Sequence, residues 1–193
     1  TIDDQFAWVL TAQAPLPLTG RAEGRFAGTR LEAEARVDSF DMRVISAMLK
    51  SDVVTFTAGN ASGRLTAAGP FNDPEIAGVL QLVGGGLRFR YSPDEVGPID
   101  AAVVFSGHEF SAGPIPVRVG DASGIATVAF TLDHWLPITF ALDAATAGDS
   151  AIRTAATFGR VIVDGRAAGR VRVVANERRT DVTGFVTMHE ARI

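Results

Sequence analysis

Arg30-Leu-Glu-Ala-Glu-Ala-Arg-Val37 alternates without a fault. Leu31, Ala33, Ala35 and Val37 fall on one side of an extended chain, and Arg30, Glu32, Glu34 and Arg36 on the other. A period of two with one apolar side is the mark of a strand that buries one face and wets the other. The same rhythm recurs outward from this stretch. Leu87, Phe89 and Tyr91 alternate with Arg88 and Arg90. Ile99, Ala101, Val103 and Phe105 share a side, as do Ala126, Val128, Phe130 and Leu132. Ile138, Phe140 and Leu142 follow, and Val171 and Val173 stand against Arg170 and Arg172. Gly, Pro or Asp signals bound most of these runs at intervals of about 8–12 residues, the spacing of antiparallel or meandering β structure. The fold class is therefore all-β, and the whole of 1–193 is expected to form one continuous segment.

One segment departs from the rhythm. In Ser39-Phe-Asp-Met-Arg-Val-Ile-Ser-Ala-Met-Leu-Lys50, the residues Phe40, Val44, Ala47 and Met48 fall near one helical face, and Ser39 or Asp41 can cap the start. A helix of about three turns is expected near 40–50, plugging an open end of the sheet or covering an edge. Asp149 to Phe158 is ambiguous, because its alanines dilute either period. Gly-Arg occurs six times, and Gly20-Arg-Ala-Glu-Gly-Arg25 and Gly165-Arg-Ala-Ala-Gly-Arg170 are near copies, each expected at the head of a strand. Glycine inside a strand marks a bulge or bend, so the copies predict a repeating, regularly bent sheet.

Composition narrows the chemistry. There is no cysteine, which excludes disulfides and thiolate metal sites. Net charge is −4 with no basic cluster, which argues against nucleic acid as a partner. Mean hydropathy is positive, +0.19, although no run approaches the ~18 apolar residues of a membrane span. The apolar excess is spread through strands, so it either fills a large core or makes a surface for something else. Twelve Phe against one Tyr and two Trp point to purely apolar contact. Thr1 stands where an initiator Met would be, and no charged and apolar leader follows it; the chain reads as a segment of a longer protein.

Catalytic patterns are missing from the sequence. His108, His134 and His189 have no His-x-x-His or His-Glu-x-x-His spacing. His108 in Gly-His-Glu and His134 in Asp133-His-Trp-Leu-Pro137 read as hydrogen-bonded turn histidines; a metal site from both with Asp133 is the less favoured alternative. There is no Gly-x-Ser-x-Gly elbow. Gly84-Gly85-Gly86 lacks the Lys-Ser/Thr of a phosphate loop and is expected as a hairpin turn. Glu32 with Glu34, and Asp94 with Glu95, are what a wet strand face and a loop carry. The expectation is a binding or conduit surface, not an enzyme, with no cofactor.

Residues 39–91 carry a resemblance. The short helix is followed by Gly63-Arg-Leu-Thr-Ala-Ala-Gly69, then Asp73-Pro-Glu-Ile-Ala-Gly-Val-Leu-Gln-Leu82, then Gly85-Gly-Leu-Arg-Phe89. Gly63, Leu65, Gly69, Pro74, Gly78, Leu80 and Leu82 stand where the TamB family, the inner-membrane part of the translocation and assembly module within the AsmA-like group, has its recurring positions. Gly124-Ile-Ala-Thr-Val-Ala-Phe130 is similar to that family's "G-x-A-x-x-x-F" strand. The resemblance implies an elongated sheet curled lengthwise into an open apolar groove, a β-taco. It also implies a periplasmic location in a parent protein anchored in the inner membrane by a segment absent here. The implied partners are phospholipid acyl chains and an outer-membrane BamA-like barrel. The implied role is conduction of phospholipid between inner and outer membranes in support of outer-membrane biogenesis, with a scaffold that binds outer-membrane proteins by strand addition as the alternative. On this reading Leu65, Leu80, Leu82, Leu87, Phe89, Val103, Phe105, Val128, Phe130, Ile138 and Phe140 line the groove. Arg88, Arg90 and Arg118 face outward or sit at the rim.

Overall fold

Alternating sequences that bury one face must pair side by side, and these do so in chain order. The computed structural model describes residues 5–49, 54–89, 92–158, 161–176 and 178–192. Among them, twelve strands form one antiparallel sheet that does not close on itself. Strands β1 (Gln5–Ala12), β2 (Leu18–Ala27), β3 (Arg30–Asp41), β4 (Val54–Pro70), β5 (Glu75–Phe89), β6 (Glu95–Gly107), β7 (Glu109–Val119), β8 (Ala122–Asp133) and β9 (Leu136–Thr146) run as a meander, each beside the next. The last three strands are β10 (Ile152–Phe158), β11 (Val161–Asn176) and β12 (Thr180–Arg192). One edge of β11 pairs with β9 through Arg170–Asn176 and with β10 through Val161–Ala167. β10 therefore continues the line of β9 after a break at 147–151, and β12 takes the other edge of β11. The ambiguous segment ending at Phe158 is thus a strand from Ile152, and among the described residues β1, β12 and the outer side of β10 present unpaired edges.

The helix α1 (Arg43–Leu49) is shorter than the expected three turns. Phe40 belongs to β3, not to a helical face, because it pairs with Leu18 and Ala61 across the sheet. Asp41 does cap: its Oδ1 accepts the Arg43 N–H at 3.0 Å, and the Arg43 guanidinium binds the same carboxylate. Those contacts, the side-chain hydrogen bond first, lower the Asp41 pKa to about 2. The helix covers an edge. β3 stops pairing with β4 at Asn60, and beyond that point the Phe56 N–H donates to Ser46 Oγ at 2.6 Å. Lys50, Arg90 and Tyr91 lie outside the described residues.

Gly84, Gly85 and Gly86 make no hairpin; they lie inside β5. They belong to a seam of irregular pairing that crosses neighbouring strands. Register shifts fall between Val37 and Phe40 on β3, between Phe56 and Asn60 on β4, between Leu82 and Leu87 on β5, and between Ala112 and Ile115 on β7. Gly97-Pro98 and Gly113-Pro114 sit in the same seam, where β6 and β7 leave their middles unpaired. A bulge bends its strand, and proline is tolerated where no ladder hydrogen bond is required. Aligned bulges bend the whole sheet along one line. They also shift the alternation by one residue, which keeps Leu80 and Leu82 on the same face as Leu87 and Phe89. Of the two near copies, Gly20–Arg25 begins two residues into β2, at its head, whereas Gly165–Arg170 is mid-β11.

Candidate functional site

Cross-strand partners share a face, so the register maps the apolar surface directly. Ala12, Gly20, Val37, Gly63, Leu80, Val103, Ala112, Val128, Leu142, Val173 and Val182 are successive partners across eleven strands. A parallel row includes Leu10, Ala35, Leu65, Phe105, Phe110, Phe130, Phe140 and Ala175. Neither row contains a charge. Ten interstrand spacings make a track of about 48 Å. The opposite face carries Arg21, Glu23, Arg25, Glu32, Glu34, Arg36 and Arg64 over β2–β4, and small or apolar residues such as Val79, Val104 and Ile125 over β5–β8.

This apolar face is only partly covered. The exposed surface is 12767 Å², whereas a compact 20.3 kDa chain would expose about 8,800 Å². Among the described residues, eight hydrophobic side chains are buried and no polar or charged one is. Burial concentrates at one end, where Val96, Ile99, Ile115 and Val119 pack together with Leu82, Leu87, Phe89 and Ile152 around them. Ile152 lies on β10, so the sheet has curled far enough to bring β10 onto β6 and β7. Elsewhere the face stays open. Phe105, Phe110, Phe130 and Phe140 form a ladder with ring centroids 5.2, 4.8 and 5.0 Å apart, half-buried throughout. Towards the edges exposure rises, to 66 % at Phe6 on β1 and 65 % at Val182 on β12.

All eleven residues expected to line a groove fall on this half-buried side. They do not share one environment. Leu82, Leu87 and Phe89 pack against the buried cluster, while Val103, Phe105, Val128, Phe130 and Phe140 lie along the rows; Leu65 and Leu80 do so on β4 and β5. Ile138 is half-buried beside the register shift of β8 and β9. Arg88 and Arg118 are exposed. Phe110 and Leu142 complete the rows without having been expected as lining. Phe110 precedes Gly113-Pro114 too closely to show a long alternation, and only pairing with Phe105 and Phe130 places it.

The turns at the opposite end meet across the curl. The Trp135 indole N–H donates to the Phe71 carbonyl at 2.9 Å, and the His134 N–H to Asp73 Oδ1 at 3.2 Å. The β4–β5 and β8–β9 turns are four strand positions apart, about 19 Å on a flat sheet. Phe71 also meets the Phe26 ring edge-on at 5.5 Å. His134 Nδ1 lies 2.6 Å from Asp133 Oδ1, the hydrogen-bonded turn histidine expected.

Charged groups elsewhere make surface pairs. Arg170 binds Asp143 across β11 and β9 at 2.7 Å, and Arg166 binds Asp121 at 2.9 Å; these side-chain hydrogen bonds hold both carboxyls below their usual range. Exposed pairs of this kind add little to stability. No helix among the described residues is long and apolar enough to cross a membrane. No family model, curated protein or solved structure matches the chain.

Proposed function

We propose that this chain is a segment of a periplasmic bridge that conducts phospholipid between inner and outer membranes, in the manner of the TamB-like proteins it resembles, without catalytic turnover. The observation that carries the reading is the charge-free row from Ala12 to Val182, which crosses eleven strands on a half-covered face. An acyl chain gains ~0.8 kcal/mol for each methylene taken out of water, so a chain of about sixteen carbons gains ~12 kcal/mol on a continuous apolar floor. An open trough lets the headgroup stay wet while the tails travel. The parent protein would supply the inner-membrane anchor and the contact with an outer-membrane BamA-like barrel.

Purified protein is expected to carry phospholipid, seen as adducts by native mass spectrometry and as diacyl species after organic extraction. Lipid-free protein that takes up none from vesicles would sink the conduit reading. A scaffold acting by strand addition is supported by a different feature, the unpaired backbone edges of β1 and β12. Proline substitutions at edge positions would abolish that activity and spare lipid uptake.

A further inference from the structure

We propose that Asp73, His108, Asp133 and His134 form a divalent transition-metal site, of zinc type, that staples the rim of the curled sheet. The proposal rests on the rim geometry and stands apart from the lipid reading. Its four donors come from three turns: Asp73 from β4–β5, His108 from β6–β7, and Asp133 with His134 from β8–β9. These turns would be spread over about 19 Å on a flat sheet. Here one donor atom each from Asp73, Asp133 and His134 lies within 4.8 Å of the others. His108 lies outside that set and beside it, with its Nε2 3.2 Å from Asp73 Oδ1.

The His108 side chain is 38 % exposed, but its Nε2 atom is shielded from solvent and has no aligned hydrogen-bond partner, although a carboxylate oxygen is 3.2 Å away. A buried, unsatisfied ring nitrogen is a costly arrangement that calls for a partner. Two ligand atoms held at ~2.0–2.2 Å by one tetrahedral ion sit about 3.3–3.6 Å apart, slightly more than the 3.2 Å seen. Two imidazoles with two carboxylates suit zinc, cobalt or nickel better than calcium or magnesium, which want more oxygens.

The surroundings already hold the donors in place. His134 and Trp135 have left-handed backbones, φ 49° and 69°, and are fixed over the β4–β5 turn by the His134 N–H on Asp73 and the Trp135 indole on Phe71. Among the described residues neither Asp73 nor Asp133 is paired with an arginine; both face histidine. A cation would replace the His134–Asp133 hydrogen bond with shared coordination and tie β4–β5 to β8–β9 across the mouth of the curl.

The test uses the whole chain stripped of metal by chelation and titrated with Co²⁺. The expected result is saturation at one equivalent, with the intense visible absorption of a four- or five-coordinate ion, and displacement by Zn²⁺. At a hundredfold excess over Kd, Zn²⁺ should raise Tm by about 5–10 °C. Asp73→Asn should abolish both effects while its metal-free circular dichroism matches the wild type. His108→Gln keeps the Asp73 carboxylate in place and should weaken Co²⁺ binding at least tenfold. His189→Gln, on β12, should change nothing. No saturable Co²⁺ uptake by the wild type, or uptake that survives Asp73→Asn and His108→Gln, overturns the proposal. Loss of lipid adducts with metal uptake intact would instead strike the conduit reading alone.

Discussion

Gly78→Val should destabilise the sheet by about 4 kcal/mol or more, measured as a fall in the urea midpoint. Strand propensity alone argues the reverse, since valine is a better strand residue than glycine. The backbone decides. Gly78 holds φ +135°, a region closed to side-chain-bearing residues, and a Cβ there would stand 2.2 Å from the Arg64 carbonyl oxygen. Gly63 is its counterpart across the pair: φ +156°, with a Cβ 2.1 Å from the Val79 carbonyl oxygen. The two glycines flank Leu65 and Leu80 in the register, so β4 and β5 approach closely where the apolar rows cross them. Gly63→Val should behave alike. Ala77→Val, one residue away on the exposed face, should stay within about 0.5 kcal/mol. If Gly78→Val proves as mild as Ala77→Val, the close approach is not what shapes this part of the sheet.

Phe130→Asp and Phe89→Asp should have opposite consequences, although both residues continue an alternating run. Phe89 packs against the cluster of Val96, Ile99, Ile115 and Val119. A carboxylate there would be driven into the best-covered region of the molecule, costing about 4 kcal/mol or more, and the domain should unfold or aggregate. Ile115→Asp, at the centre of the cluster, should do the same. Phe130 instead stands in the half-exposed ladder between Phe110 and Phe140. An aspartate at that site keeps access to water, so the fold should survive with the loss of about 1–3 kcal/mol in ring contacts. It puts a charge on the floor of the trough, and phospholipid uptake should fall at least tenfold. Circular dichroism and lipid extraction on the same samples separate the two outcomes. Unfolding by both variants would mean that the ladder is ordinary core.

The alternation of Arg30–Val37 was enough to predict β3 and its wet and dry sides, because period two depends only on the chain itself. The one-sided apolar pattern of Leu80, Val103 and Val128 was legible for the same reason. The bend of the sheet was not. Gly84–Gly86, Gly97-Pro98 and Gly113-Pro114 resemble turn punctuation because turns and bulges need the same backbone freedom, and only pairing distinguishes them. Strands that looked 8–12 residues apart are therefore longer, up to the 17 residues of β4. Phe110 and Asp73 carry no signal in the sequence because their neighbours are assembled by register and curl, not by sequence distance. His108, His134 and Asp133 lie close in the sequence, whereas Asp73 is sixty residues upstream of Asp133 in a proline-flanked turn, and only the curl brings it to them.

The proposed conduit requires the apolar rows, and not the opposite face, to meet acyl chains. A photo-crosslinking amino acid placed at Phe110, on the rows, or at Ser111, on the opposite face, separates the two. After irradiation with phospholipid vesicles, lipid adducts are expected by mass spectrometry at position 110 and background at 111. Equal labelling at both positions, or none at 110 in folded protein, would contradict it.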